Sequence, residues 1–380
     1  MNYQILGRVL ADGRLLLAGG IALTIAAVAA MPAAQAAATA KAPAVYKAPR
    51  TEFGQPDLQG NWTNATITPL ERPDAYGERL VLTAEEASKL EQAEADFVEA
   101  GNKPTDPKKG IQDLPVNCRP GFSGTNCGYN NFWVDAGTKV VTINGEKRTS
   151  ILTTPNGKIP PLTPEAQKRR TERMAGLRGR GAADGPEVRS LGERCLMSFG
   201  SSAGPPMLPL LYNNNYQIVQ TPDTVMILVE MVHDVRIVRI GGTHSAVDLK
   251  RWMGDSIGHW EGDTLVIETI NLNPQQSFRG ASGNAKFIER LTRVAPNQIR
   301  YQFTIDDPAT YTQAWGGELN MNASQDPLYE YACHEGNYAL PGILAGAREE
   351  ESVAAEKAAA AAATAAAAAP AAKQGEGKRK

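Results

Sequence analysis

From Tyr212 to Glu335 apolar and polar residues alternate with a period of two, in short runs separated by turn residues. That is the pattern of strands with one dry and one wet face. Residues 216–221 and 224–240 flank Pro222-Asp223, residues 250–260 and 264–270 flank Gly262-Asp263, and residues 286–294 and 298–305 flank Pro296-Asn297. Each pair predicts a hairpin. In residues 298–305, Ile299, Tyr301, Phe303 and Ile305 alternate with Gln298, Arg300, Gln302 and Thr304. The run 224–240 is too long for one flat strand and predicts a bend or bulge near His233-Asp234. Residues 310–315 and 328–334 add one or two strands. The series predicts a mainly β, antiparallel sheet, strongly coiled or closed into a barrel.

Upstream the period changes. Residues 82–102 predict a surface helix capped by Thr83 with Glu86 three residues later. Residues 131–153 predict a β-meander, with Asn144-Gly145 as its turn. A second exposed helix opens at Thr163-Pro164-Glu165, and its arginine-rich continuation to residue 194 is read as solvated surface because acidic residues interleave with the basic ones. Residues 64–210 thus form a helical and loop insertion within a domain of residues 52–350. The ends differ from it. Arg8 and Arg14, the apolar run Leu15–Ala30 and Ala34-Gln35-Ala36 make residues 1–36 a secretory signal. Residues 37–51 read as linker and residues 351–380 as a disordered alanine-rich tail. These features predict a periplasmic or secreted protein with no stable membrane anchor once the signal is cleaved.

Composition then narrows the function. With 39 Lys+Arg against 41 Asp+Glu, there is no electrostatic case for a nucleic-acid partner. Four cysteines in an exported chain suggest two disulfides; of the three pairings, Cys118–Cys127 with Cys195–Cys333 is the one expected.

Three constellations carry candidate chemistry. In Glu230-x-x-His233-Asp234-x-Arg236, strict alternation sets His233 in an apolar row and Glu230, Asp234 and Arg236 opposite; a bend would join the rows. A buried His233 suits a general base, Arg236 suits an anionic or carbonyl oxygen, and Glu230 joins them. The competing reading is a core histidine beside a cross-strand ion-pair face. The second is Tyr331, His334, Glu335 and Asn337, crowded near the end of a last strand, with His334 or Glu335 as the acid. The third is Trp252, Asp255 and Trp260, which would close a pocket over an apolar ligand or anchor the core. No helical histidine spacing predicts a metal site, and no cofactor motif is present.

The blocks ERCLMSFG (193–200), EMVHDVRI (230–237), GDSIGHWEGDTLVIET (254–269) and YEYACHEGNY (329–338) resemble a widespread family of exported bacterial proteins of unknown function. Gly60-x-Trp62 before a β-meander also resembles lipocalin-type proteins, which implies a lipocalin-like barrel around a small apolar molecule. Three functions remain open. One is an enzyme using cofactor-independent acid–base chemistry on a small, partly aromatic or hydrophobic substrate, as a lyase, isomerase or hydrolase. Another is a non-catalytic binding protein for a hydrophobic small molecule. The third is an envelope-interaction protein.

Overall fold

The structure, a computed structural model, describes residues 46–104, 108, 134–176, 180–198, 202, 204–245, 249–276 and 278–368. These lie in one compact unit, Tyr46–Lys380. The signal segment, Cys118, Cys127 and the first strand of the expected meander around Phe132-Trp133 fall outside the described residues.

Among the described residues the chain runs β1 (Gly60–Thr63), α1 (Ala84–Gly101), β2 (Thr142–Ile143), β3 (Glu146–Lys147), α2 (Pro164–Gly176), β4 (Asn215–Gln220), β5 (Thr224–Val229), β6 (Val235–Ile240), β7 (Asp255–Glu261), β8 (Thr264–Ile270), β9 (Lys286–Ala295), β10 (Gln298–Asp306), β11 (Trp315–Ala323) and α3 (Ala339–Ala368). Nine strands close into a barrel in the order β1-β11-β10-β9-β8-β7-β6-β5-β4. The short strand β1 completes it, pairing Trp62 with Tyr216 on one side and with Ala323 on the other. Every other neighbouring pair is antiparallel, with tight turns joining β4 to β5, β7 to β8 and β9 to β10, but β6 and β7 run parallel. The barrel is therefore mixed rather than wholly antiparallel: the long connection after Ile240 carries the chain back to the end it left, so β7 enters in the direction of β6.

Cross-strand pairing defines the inner face. Ile218 faces Ile227, Ile227 faces Arg236, Val238 faces Ser256, Gly258 faces Ile267, Ile267 faces Glu289, and Phe303 faces Gly317. Tyr216, Val225, Leu265, Leu291, Ile299, Tyr301, Leu319 and Met321 extend these rows, all buried. Burying so much branched and aromatic surface is what holds a closed sheet together.

The insertion adds no strand to the barrel, though Ile143, Leu152, Met207 and Leu208 from it pack into the core. Helix α1 starts at the predicted capping box, where Glu86 N–H donates to Thr83 Oγ1 and Thr83 N–H donates to Glu86 Oε2. Asn144 and Gly145, at φ of 52° and 83°, turn β2 into β3, the residue pair that this turn requires. The ordered unit reaches into the segment read as linker, for Ala48 is buried and Arg50 bridges to Pro56. At the other end the segment read as a disordered tail is helical through Ala368, as alanine's helix propensity allows, and it lies exposed. No helix among the described residues is long and apolar enough to cross a membrane.

Candidate functional site

Two ionised side chains meet inside the barrel. Arg236 points inward from β6 and Glu289 from β9, and the guanidinium nitrogen Nη1 lies 2.7 Å from Glu289 Oε2. Both side chains are sealed from water, with 1% and 0% of their surface exposed. The contact is an ion pair without hydrogen-bond alignment: none of the three guanidinium nitrogens, nor Glu289 Oε2, has a hydrogen-bond partner among the described residues. Burial works against the charge on Arg236, and Glu289 outweighs it, so its pKa stays above the ordinary value. A buried arginine with donors to spare is costly unless something accepts from it.

Two phenols stand beside the pair. Tyr301 Oη donates to Glu289 Oε1 at 2.6 Å, and Tyr216 Oη donates to the Ser202 carbonyl at 2.8 Å. Burial pushes both phenols well above their ordinary pKa, and at Tyr301 the Glu289 charge adds to it. Both remain protonated donors. Asn64, just past β1, donates to Tyr216 Oη at 3.1 Å. Arg236, Glu289, Tyr301, Tyr216 and Asn64 thus form a polar island in an apolar interior.

The residues singled out in the sequence separate into groups. Only Arg236 reaches the island. The run 224–240 is two strands, not one bent strand, because Val232 and His233 adopt left-handed backbone at φ of 62° and 55° and reverse the chain. That reversal shifts the phase: Arg236 turns inward, while Val235 and Ile237 face out and are exposed. His233 is exposed and not in an apolar row; its Nε2 accepts from Tyr331 N–H at 2.8 Å. Glu230 is buried, accepting from Asn215 Nδ2 at 2.5 Å and Tyr329 N–H at 3.2 Å. Asp234 accepts from Ser198 N–H at 2.9 Å, and burial raises its carboxyl to about 6.

Residues 328–334 form no strand, since a closed barrel leaves no free edge for them to pair with. His334 and Glu335 are exposed, and Tyr331 and Asn337 are half-buried. Tyr331, Glu335 and Asn337 line a groove of about 580 Å³ outside the strands, together with Arg189, Glu193 and Leu340. Cys195 and Cys333 are joined by a disulfide, Cα to Cα 5.7 Å. Trp252 and Trp260 do not bracket Asp255 on one face. Both pack half-buried against the barrel core. Asp255 takes the opposite face of β7 from Trp260, where Arg239 (2.9 Å), Ser245 N–H (2.6 Å) and His244 (3.2 Å) bind it. Among the described residues no three His, Cys, Asp or Glu side chains form a metal-binding group.

Glu289, Tyr301, Tyr216 and Asn64 had no place among the sequence candidates. Glu289 carries a usable signal, since in Phe287-Ile288-Glu289-Arg290-Leu291 it is an acid in phase with two apolar residues. Asn64 has no such signal. No family model, curated protein or solved structure matches the chain.

Proposed function

We propose that the protein captures a small, partly hydrophobic molecule carrying a carboxylate or carbonyl oxygen, and that the oxygen docks on Arg236 inside the barrel. The observation that carries this reading is a wholly buried guanidinium whose nitrogens lack hydrogen-bond partners among the described residues. The aliphatic and aromatic inner rows supply the apolar wall, and the protonated phenols supply directional contacts. The lipocalin-like reading of the barrel and the exported location inferred from residues 1–36 are parts of the same proposal. Titration calorimetry of the full chain with apolar carboxylates and amides, decanoate and acetyl-Pro-Met-Leu among them, tests it. At least one binds one-to-one, and Arg236→Met weakens it tenfold or more while retaining native circular dichroism. Undiminished binding by folded Arg236→Met, or no binding by any member, overturns it.

The 2.6 Å Tyr301–Glu289 hydrogen bond favours a second reading, acid–base turnover of the captured molecule. Glu289 would take a proton and Tyr301 return one, in place of His233 and His334. Conversion of the ligand that disappears in Glu289→Gln supports this; recovery of every bound ligand unchanged refutes it.

A further inference from the structure

Loops run over protein surfaces because their backbone groups need water. Ser202 and Gly204–Leu208 are loop, yet all are buried, and Met207 and Leu208 belong to the barrel core. Side chains from separate elements replace the water. Met207 N–H donates to Tyr301 Oη at 2.8 Å, and Asn64 Nδ2 donates to the Met207 carbonyl at 3.3 Å. Tyr216 Oη donates to the Ser202 carbonyl at 2.8 Å, and Gln276 Nε2 to the Gly204 carbonyl at 3.4 Å. Gly204 also lies against Arg236: a Cβ built on it would sit 3.0 Å from Nη1. Tyr301, Asn64 and Tyr216 of the island, with Gln276 beside it, therefore read main chain, one N–H and three carbonyls, and seat an apolar side chain beside them.

We infer that the barrel interior is a peptide-reading site, that its ligand class is a short apolar peptide or N-acyl amide, and that Gly204–Leu208 is the resident occupant which the ligand displaces. The inference rests on the capture reading and makes it more specific. A simple fatty acid offers no N–H to Tyr301 and no second carbonyl for Asn64 and Tyr216, and each buried partner left unmatched costs roughly tenfold in affinity. The occupant competes intramolecularly, at an effective concentration on the order of millimolar. Gly204 is where its grip can be loosened. At φ +75°, an alanine there is strained, and its Cβ would meet Met207 Cγ at 2.9 Å as well as Arg236.

Three probes separate the possibilities by calorimetry on the full chain and on Gly204→Ala: acetyl-Gly-Pro-Pro-Met-Leu, the same peptide with an ester oxygen replacing the methionine nitrogen, and decanoate. The amide peptide binds, the ester binds at least tenfold more weakly, and Gly204→Ala strengthens both. If amide and ester bind equally, or decanoate alone binds, the peptide inference falls while capture stands. If no probe binds either protein, both fall. Should Gly204→Ala fail to give a native melt, the amide-to-ester ratio on the unaltered chain decides alone.

Discussion

The interior island and the seam formed by Glu230–Asp234 against residues 329–333 draw on similar residues for opposite ends. In the seam every named acceptor is engaged: Glu230 and His233 bind the backbone of Tyr329 and Tyr331, and Asp234 binds Ser198. Its side chains fasten residues 329–333 to the barrel. In the island Arg236 is 1% exposed, and its nitrogens lack hydrogen-bond partners among the described residues. A second buried arginine sharpens the contrast. Arg72 donates to Thr149 Oγ1 and to the carbonyls of Gly77 and Pro155, and so is accounted for by its surroundings. Density of ionisable residues is therefore shared by both regions; what separates them is unmet hydrogen-bonding capacity, the feature on which the proposed capture site rests.

The largest test of this contrast removes Glu289. Glu289→Ala leaves Arg236 charged and buried without its partner and lowers stability by about 3–5 kcal/mol in urea denaturation. Arg236→Met combined with Glu289→Leu recovers most of that loss. A silent Glu289→Ala would place the island on a par with the seam.

The next test is a pH titration of the seam. Burial raises Asp234 from an ordinary 3.8 to about 6, so the folded chain holds this proton more tightly than the unfolded chain. Its contribution favours folding at low pH and is lost as pH rises from about 4 through 6. Asp234→Asn keeps an acceptor for Ser198 N–H without the charge. At pH 8 it is more stable than the parent by about 1–3 kcal/mol, and the gain vanishes near pH 4. A gain that does not change with pH would remove burial as the cause.

The smallest effect belongs to His233→Ala, which deletes one exposed acceptor. Stability falls by about 0.5–1 kcal/mol, and ligand affinity is unchanged. Lost binding would move the site from the island to the seam.

Much of the barrel is legible in local chemistry. Pro222-Asp223, Gly262-Asp263 and Pro296-Asn297 mark three hairpins because their turn residues act within a few positions. The β5–β6 reversal is different. Its left-handed positions are Val232 and His233, which carry no turn signal, so alternation read through them inverts the face of every later residue up to Ile240. Arg236 was reached by its residue type, while its partner across the barrel was not. The string Gly204-Pro205-Pro206 reads as loop, since its burial depends on Asn64, Tyr216, Gln276 and Tyr301, which are distant in sequence. Residues 328–334 show the converse: their alternation is real, but barrel closure leaves them no edge.

The Cys195–Cys333 bridge has a topological consequence. The covalent ring it closes contains β4 through β11, every barrel strand except β1. A protease nick in any hairpin of that ring leaves a single covalent molecule, visible as two fragments only after reduction. A nick between β1 and Cys195, outside the loop that the expected Cys118–Cys127 bridge would close, instead frees the closing strand, and with it Trp62 and Asn64. Eight strands are thus insured against cleavage, and the one that seals the barrel is not.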